Sequence, residues 1–172
     1  ALWSVASQEI NYRRFFDINE LAAIRVEDEE VFRHYHQLLF DLIRQGKIHG
    51  LRIDHPDGLY DPPAYFRRLH VEYLLQTILK ESEERVAAEG AEPEVIDADA
   101  VRSALDTLLT NEFSHKPALY VVAEKILDRK EPLPEIWDIH GTVGYDYLNV
   151  LNGIFVDERN EGKFAKLYES YI

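Results

Sequence analysis

The run Ala118-Leu119-Tyr120-Val121-Val122-Ala123 is almost continuously apolar and stops at Glu124. A strand with one wet face alternates apolar and polar positions. A strand without alternation is covered on both faces, as in parallel sheets. A second short segment, Ile48-His49-Gly50-Leu51-Arg52-Ile53, stops at Asp54 and is followed by Pro56 and Asp57-Gly58, which end a ladder and make a turn. Helical patterns precede and separate the two strands. Val31, Phe32, Tyr35, Leu38, Leu39, Leu42 and Ile43 recur at i, i+3, i+4 spacing. This predicts an amphipathic helix over 29–45, with Asp28 as its N-cap and Gly46 as its stop. Pro62-Pro63 opens a second helix over 64–88, Gly90 to Pro93 breaks it, and a third helix runs over 97–110. Residues 1–12 read as helical. Residues 13–24 read as a strand end and loop with a helical turn from Asn19, and the stretch from Phe164 to Ile172 reads as helix-like.

Helix, glycine, strand and polar loop make one β/α unit, so the expected fold class is α/β with a few parallel strands. An eight-fold β/α barrel needs about 250 residues, or about 31 per repeat. The chain has 172 residues, and Asp54 and Glu124 lie 70 positions apart. That separation is one repeat plus about 40 residues, which suits a helical insertion at 80–115 between consecutive strands. The chain has no methionine, even at position 1, and both ends run into helix-like sequence. The expectation is a central piece, 1–172, of a TIM-type (β/α)8 barrel domain from a longer protein. A partial barrel leaves sheet edges open, so self-association through those edges is expected alongside contacts with the rest of the barrel.

Composition narrows the function. A hydrophobic content of 46% makes the chain globular rather than disordered. A formal net charge of −13 repels phosphate backbones and anionic bilayers, so neither nucleic acid nor a membrane is an expected partner. Neutral, hydroxyl-rich ligands such as sugars remain. There is no cysteine, hence no disulfide framework or thiolate zinc site, which is compatible with the expected cytoplasmic location. No apolar run approaches the length of a spanning helix. No cofactor and no metal site is expected.

Two carboxylates carry the candidate chemistry. Alternation puts Arg52 and Asp54 on one face of their strand. A guanidinium beside a carboxylate favours its ionised form, the state a nucleophile needs. The pattern equally suits a structural ion pair or a cap. Glu124, at the end of an apolar strand, would meet a hydrophobic wall that raises its pKa, as a general acid requires. A pairing with Lys125 or a nearby arginine is the alternative. Both carboxylates sit at C-terminal strand ends, the rim where barrel enzymes work, and retaining glycosidases need such a pair about 5–5.5 Å apart. His55 suits a sugar hydroxyl or a structural role, and Asp57 substrate contact or the turn itself. His49 reads as an exposed loop residue. His34 and His36 point to different sides of their helix, and His70, His115 and His140 show no ligand spacing. Gly141-Thr142-Val143-Gly144-Tyr145-Asp146 lacks the phosphate-loop pattern. With Trp137, Tyr145 and Tyr147 it suits a sugar-stacking loop, with core packing as the alternative, favoured for Tyr147.

The blocks NYRRFFDINELA (11–22), GLRIDHPDGLYDP (50–62), VVAEKIL (121–127), Leu133-Pro134 with Trp137, GTVGYDYLN (141–149) and NGIFVD (152–157) together resemble the maltooligosyl trehalose synthases. That family belongs to the α-amylase superfamily of retaining barrel enzymes. The resemblance implies an intramolecular transglucosylation. The reducing-end α-1,4 linkage of a maltooligosaccharide becomes an α,α-1,1 linkage. It implies Asp54 as nucleophile, Glu124 as acid/base and Arg52 as support for Asp54. His55, Asp57, Tyr145 and Asp146 are the expected substrate-binding residues. It also implies pieces outside this chain: an earlier block with its own Asp and His, and a third catalytic Asp after Ile172. The chain alone is therefore expected to be inactive. Val143 departs from the second threonine expected at that position. Alternatives are an α-glucan hydrolase or transglycosylase with the same carboxylate pair, and a non-catalytic glucan-binding or scaffold domain.

Overall fold

In the computed structural model, the described residues are 4, 5, 9–16, 18–90, 92, 95–111, 117–128 and 130–172. Helix α1 (Glu29–Arg44) begins at Asp28, whose carboxylate accepts the N–H groups of Glu30 and Val31. It ends at Gly46, in the left-handed region at φ 70°. There Gly46 N–H donates to Ile43 and Lys47 N–H to Leu42, which satisfies the last carbonyls. Strand β1 (Gly50–Ile53) follows, then a single 3₁₀ turn (Pro56–Gly58). Helix α2 (Pro62–Glu89) is capped by Asp61 and has its two prolines in the first turn, where no intrahelical N–H is needed. Helix α3 (Ala98–Asn111) starts behind Asp97, which accepts the N–H groups of Asp99 and Ala100. Strand β2 (Tyr120–Ala123), α4 (Tyr145–Gly153) and α5 (Glu161–Glu169) complete the order.

The two strands pair in parallel, with Ile53 opposite Ala123. A further stretch joins β2 in parallel. His140 N–H donates to Val121, Ala123 N–H to Gly141, and Val143 N–H to Ala123. The result is the expected α/β class with parallel pairing. The core gathers Phe32, Phe40 and Ile43 of α1, Tyr65, Phe66 and Leu69 of α2, and Leu51, Val121 and Ala123 of the sheet. Helix α3 is tied to α2 by ion pairs of Arg102 with Glu72 and of Arg67 with Asp106. It fills part of the stretch expected as an insertion.

Four expectations need correction. The apolar strand is not covered on both faces. Leu51, Val121 and Ala123 are buried beneath the helices, while Tyr120 is 55% exposed and Val122 half-buried, because the described helices pack on one face only. The buried stripe of α1 runs Phe32, His36, Phe40 and Ile43, leaving Tyr35 and Leu38 exposed. His36 belongs in that stripe because both ring nitrogens are satisfied, by the Phe32 carbonyl at 2.8 Å and the Tyr65 hydroxyl at 2.9 Å. His34 is exposed, so the two histidines do face apart. Of residues 1–12, Ser4 and Val5 are helical and 9–12 are not; the others lie outside the described residues. Finally, Tyr145, Asp146 and Tyr147 are not in a loop. Gly144, at φ 105°, turns the chain directly into α4. His115 lies outside the described residues. Among the described residues no helix is long and apolar enough to cross a membrane.

Candidate active site

The parallel register sets the site. Extended by one residue, it places Asp54 beside Glu124, and Glu124 N–H donates to the Ile53 carbonyl at 2.7 Å. Register partners in a parallel pair point to the same face, and neighbouring strands lie about 4.8 Å apart. Leu51 and Ile53 with Val121 and Ala123 occupy the helix-covered face, so Arg52, Asp54, Val122 and Glu124 share the other. Arg52 Nη1 lies 2.8 Å from Asp54 Oδ1, with both side chains about half exposed. An exposed pair of this kind contributes at most about 1 kcal/mol to stability. Its effect is to orient the carboxylate.

The loop after β1 bends back onto Glu124. His55 N–H donates to Glu124 Oε2 at 3.3 Å. His55 is held in the left-handed region at φ 45°, an uncommon conformation for a residue with a Cβ. Phe16 is also left-handed, at φ 55°, and its ring stacks on the His55 ring at 4.0 Å. Gly58 completes the arrangement, since a Cβ there would meet His55 Cδ2 at 2.7 Å. His55 thus lies between aromatic rings and a glycine, with its backbone on the acid/base candidate.

Asp57, in the 3₁₀ turn, lies 3.2 Å from Lys125 Nζ. Lys125 also meets Glu131 at 2.8 Å. The ammonium next to Glu124 in sequence is therefore engaged by Asp57 and Glu131. Its hydrogen bond with Glu131 is the first cause of a raised pKa.

The residues beyond Thr142 continue from the same rim as Glu124, since Thr142 pairs with Ala123. Asp146 accepts from the Thr142 hydroxyl, and this bond holds its carboxyl below the usual carboxylate range. Asp146 is thus placed as part of the turn into α4. Tyr145 and Tyr147 are exposed, Tyr147 by 67%, which corrects the core reading for that residue. Trp137 is buried against Phe66, so it is core and does not stack on sugar from a loop.

Two histidines hold the frame behind the site. His70 is buried; its Nδ1 accepts the Leu119 N–H at 3.3 Å, and its Nε2–H donates to the Asp138 carbonyl at 2.6 Å. His140 Nδ1 accepts the Val121 N–H at 3.2 Å. His49 is exposed, as expected. A cavity of about 520 Å³ lies between α1, α2 and α3; none of the site residues line it, Arg33, Arg67 and Arg102 face carboxylates there, and Arg68 donates to the Val26 and Glu27 carbonyls. Among the described residues, no three His, Cys, Asp or Glu side chains cluster as a metal site.

No family model matches the chain. A curated protein of Mycobacterium tuberculosis, whose name proposes a maltooligosyl trehalose synthase, is 30% identical over 159 residues, or 92% of this chain. The solved maltooligosyltrehalose synthase of Arthrobacter ramosus is 32% identical, covers 93% of this chain and superposes with a TM-score of 0.62. The chain is a relative of the maltooligosyl trehalose synthases. A solved glycosyltrehalose synthase from DSM5389 agrees, with a TM-score of 0.60 at 32% identity. The chain spans 15% of the length of the curated synthase relative and 16% of the solved one from Arthrobacter ramosus. Within that span, Lys125, expected from the sequence only as an alternative partner of Glu124, meets Asp57 and Glu131 instead. Its signal is a lysine inside an apolar run, in VVAEKIL.

Proposed function

We propose that the polypeptide carrying this chain is a maltooligosyl trehalose synthase. It would convert the reducing-end α-1,4 linkage of a maltooligosaccharide into an α,α-1,1 linkage. The observation that carries this is the parallel register that sets Asp54 beside Glu124 at the ends of two adjacent strands. A strand spacing of about 4.8 Å suits the roughly 5 Å separation of a retaining pair. In the proposed mechanism, Asp54, oriented by Arg52, attacks the anomeric carbon. Glu124 protonates the departing oxygen. The released glucose stays bound, turns, and offers its own anomeric hydroxyl, which Glu124 deprotonates. Two inversions give net retention. His55, Asp57, Tyr145 and Asp146 are the residues proposed to contact that glucose as it turns. No cofactor is expected to take part.

The chain is read as one arc of an α-amylase-type β/α barrel, with α3 belonging to a helical insertion over 80–115. The internal acceptor wins over water only in a closed, dry cleft. Here the Arg52–Asp54 pair is half exposed, so the chain by itself leaves the nucleophile open to water. The isolated chain is therefore expected to be inactive, and the test belongs to the full-length polypeptide. Incubated with maltopentaose, it should lower the reducing-end titre, and Asp54→Asn and Glu124→Gln should each stop that fall. A rise in reducing ends would mean hydrolysis and would overturn the proposal.

A further inference from the structure

Lys125 is less exposed than either carboxylate it meets beside the candidate site. Its side chain is 11% exposed, while its carboxylate neighbours Asp57 and Glu131 are 45% and 41% exposed. Burying an ammonium is costly, and an apolar side chain of the same volume often serves stability as well or better. What a lysine adds is direction, because its bonds require particular oxygens at particular places.

Those oxygens belong to the segments that carry the two carboxylates. Asp57 lies three residues after Asp54, on the turn that follows β1. Lys125 follows Glu124, and Glu131 lies further along the same segment. Lys125 thus ties the loop after β2 to the loop after β1 through Asp57 at 3.2 Å, while Glu131 at 2.8 Å fixes the ammonium from within its own loop. The His55 N–H to Glu124 bond ties them a second time, nearer the reacting groups. Without the lysine, that 3.3 Å bond and the stacking of His55 on Phe16 would hold the left-handed loop.

We infer that Lys125 is a positioning residue that sets the distance between the Asp54 and Glu124 carboxyls by clamping Asp57 and Glu131. This rests on the reading of Asp54 and Glu124 as nucleophile and acid/base. Lys125 acts through the loops and touches no sugar, so its loss should appear in kcat and leave KM nearly unchanged. A misplacement of about 1 Å at a reacting centre costs on the order of a hundredfold in rate.

The test measures kcat and KM on maltopentaose with the full-length polypeptide carrying K125M, K125R, D57N, E131Q, the D57N/K125M pair or D54N, each checked by thermal melting. K125M should lower kcat at least about tenfold with KM within about threefold. K125R, whose fork can reach two carboxylates, should recover most of that loss. D57N/K125M should be no slower than the slower single variant, because both remove one link. If K125M does not fold, E131Q carries the same expectation, a lower kcat at similar KM; D57N, at a residue proposed to contact substrate, tests the link only through the double variant. A kcat within twofold of the parent in K125M, or a raised KM at unchanged kcat, overturns the inference. The D54N control separates the two readings. If D54N loses activity about a thousandfold or more while K125M keeps a kcat within twofold of the parent, the clamp alone fails. If D54N stays active, the assignment of the carboxylates fails first.

Discussion

Lowering the pH from 7 to 5.5 should weaken the fold through two buried histidines outside the candidate site. His36 and His70 are both buried, and burial, the largest cause in each case, pushes their pKa below 6.5. Each stays neutral in the folded chain where the unfolded chain takes up a proton. The stability they hold is therefore fully present above the unfolded value and is lost as pH falls toward the folded one. At pH 5.5 an unfolded histidine of ordinary pKa is about ten parts protonated to one. The loss between pH 7 and 5.5 is then at most about 1.3 kcal/mol per histidine, or about 2.5 kcal/mol for both. His70 should dominate. Its Nδ1 accepts the Leu119 N–H, so a proton there would set donor against donor. At His36 the Tyr65 hydroxyl can rotate to accept instead. Urea midpoints of the wild type and of H36Q/H70Q at the two pH values test this. The glutamine amide offers a donor and an acceptor without titrating, so the variant should lose most of the pH-dependent difference. An equal drop in both proteins would refute the reasoning.

Gly50→Ala should destabilise by about 1–3 kcal/mol, read by urea unfolding, since the new Cβ would meet Tyr120 Cδ1 at 2.8 Å and the Tyr120 carbonyl at 3.0 Å and push the strands apart. Gly58→Ala should act mainly on activity. It displaces the His55 ring, and with it the N–H on Glu124, so kcat of the full-length polypeptide should fall about tenfold or more with a small change in melting temperature.

Much of the frame was legible because local chemistry decided it. Asp28 and Gly46 bound α1, and Pro62-Pro63 opens α2, as their backbone preferences require. The carboxylates at the strand ends were legible because an apolar run followed by an acid marks where burial stops. Less legible were features set by partners distant in sequence. His36 enters the stripe of α1 only because Tyr65, 29 residues away, satisfies its ring. The sheet is covered on one face because helix packing, not strand composition, determines what lies over Tyr120 and Val122. Tyr145 to Tyr147 read as loop because they follow a glycine. The bond from Thr142 to Asp146, which belongs to the turn into α4, shows only in three dimensions. Lys125 was placed against Glu124 as one option; it clamps Asp57 and Glu131 instead.

The pairing of Ile53 with Ala123 also has a kinetic side. It closes a loop of 70 residues, which costs an unstructured chain about 4 kcal/mol of entropy before any ladder bond returns it. Parallel pairing of this kind is slow unless the intervening chain is already short-circuited. Helices α2 and α3 do that, since they form from local contacts and pack on each other through Arg102 and Glu72. Synthesis at about 5–20 residues per second separates the emergence of Asp54 and Glu124 by several seconds. The two carboxylates are thus expected to meet late, after the helices that separate them in sequence have folded.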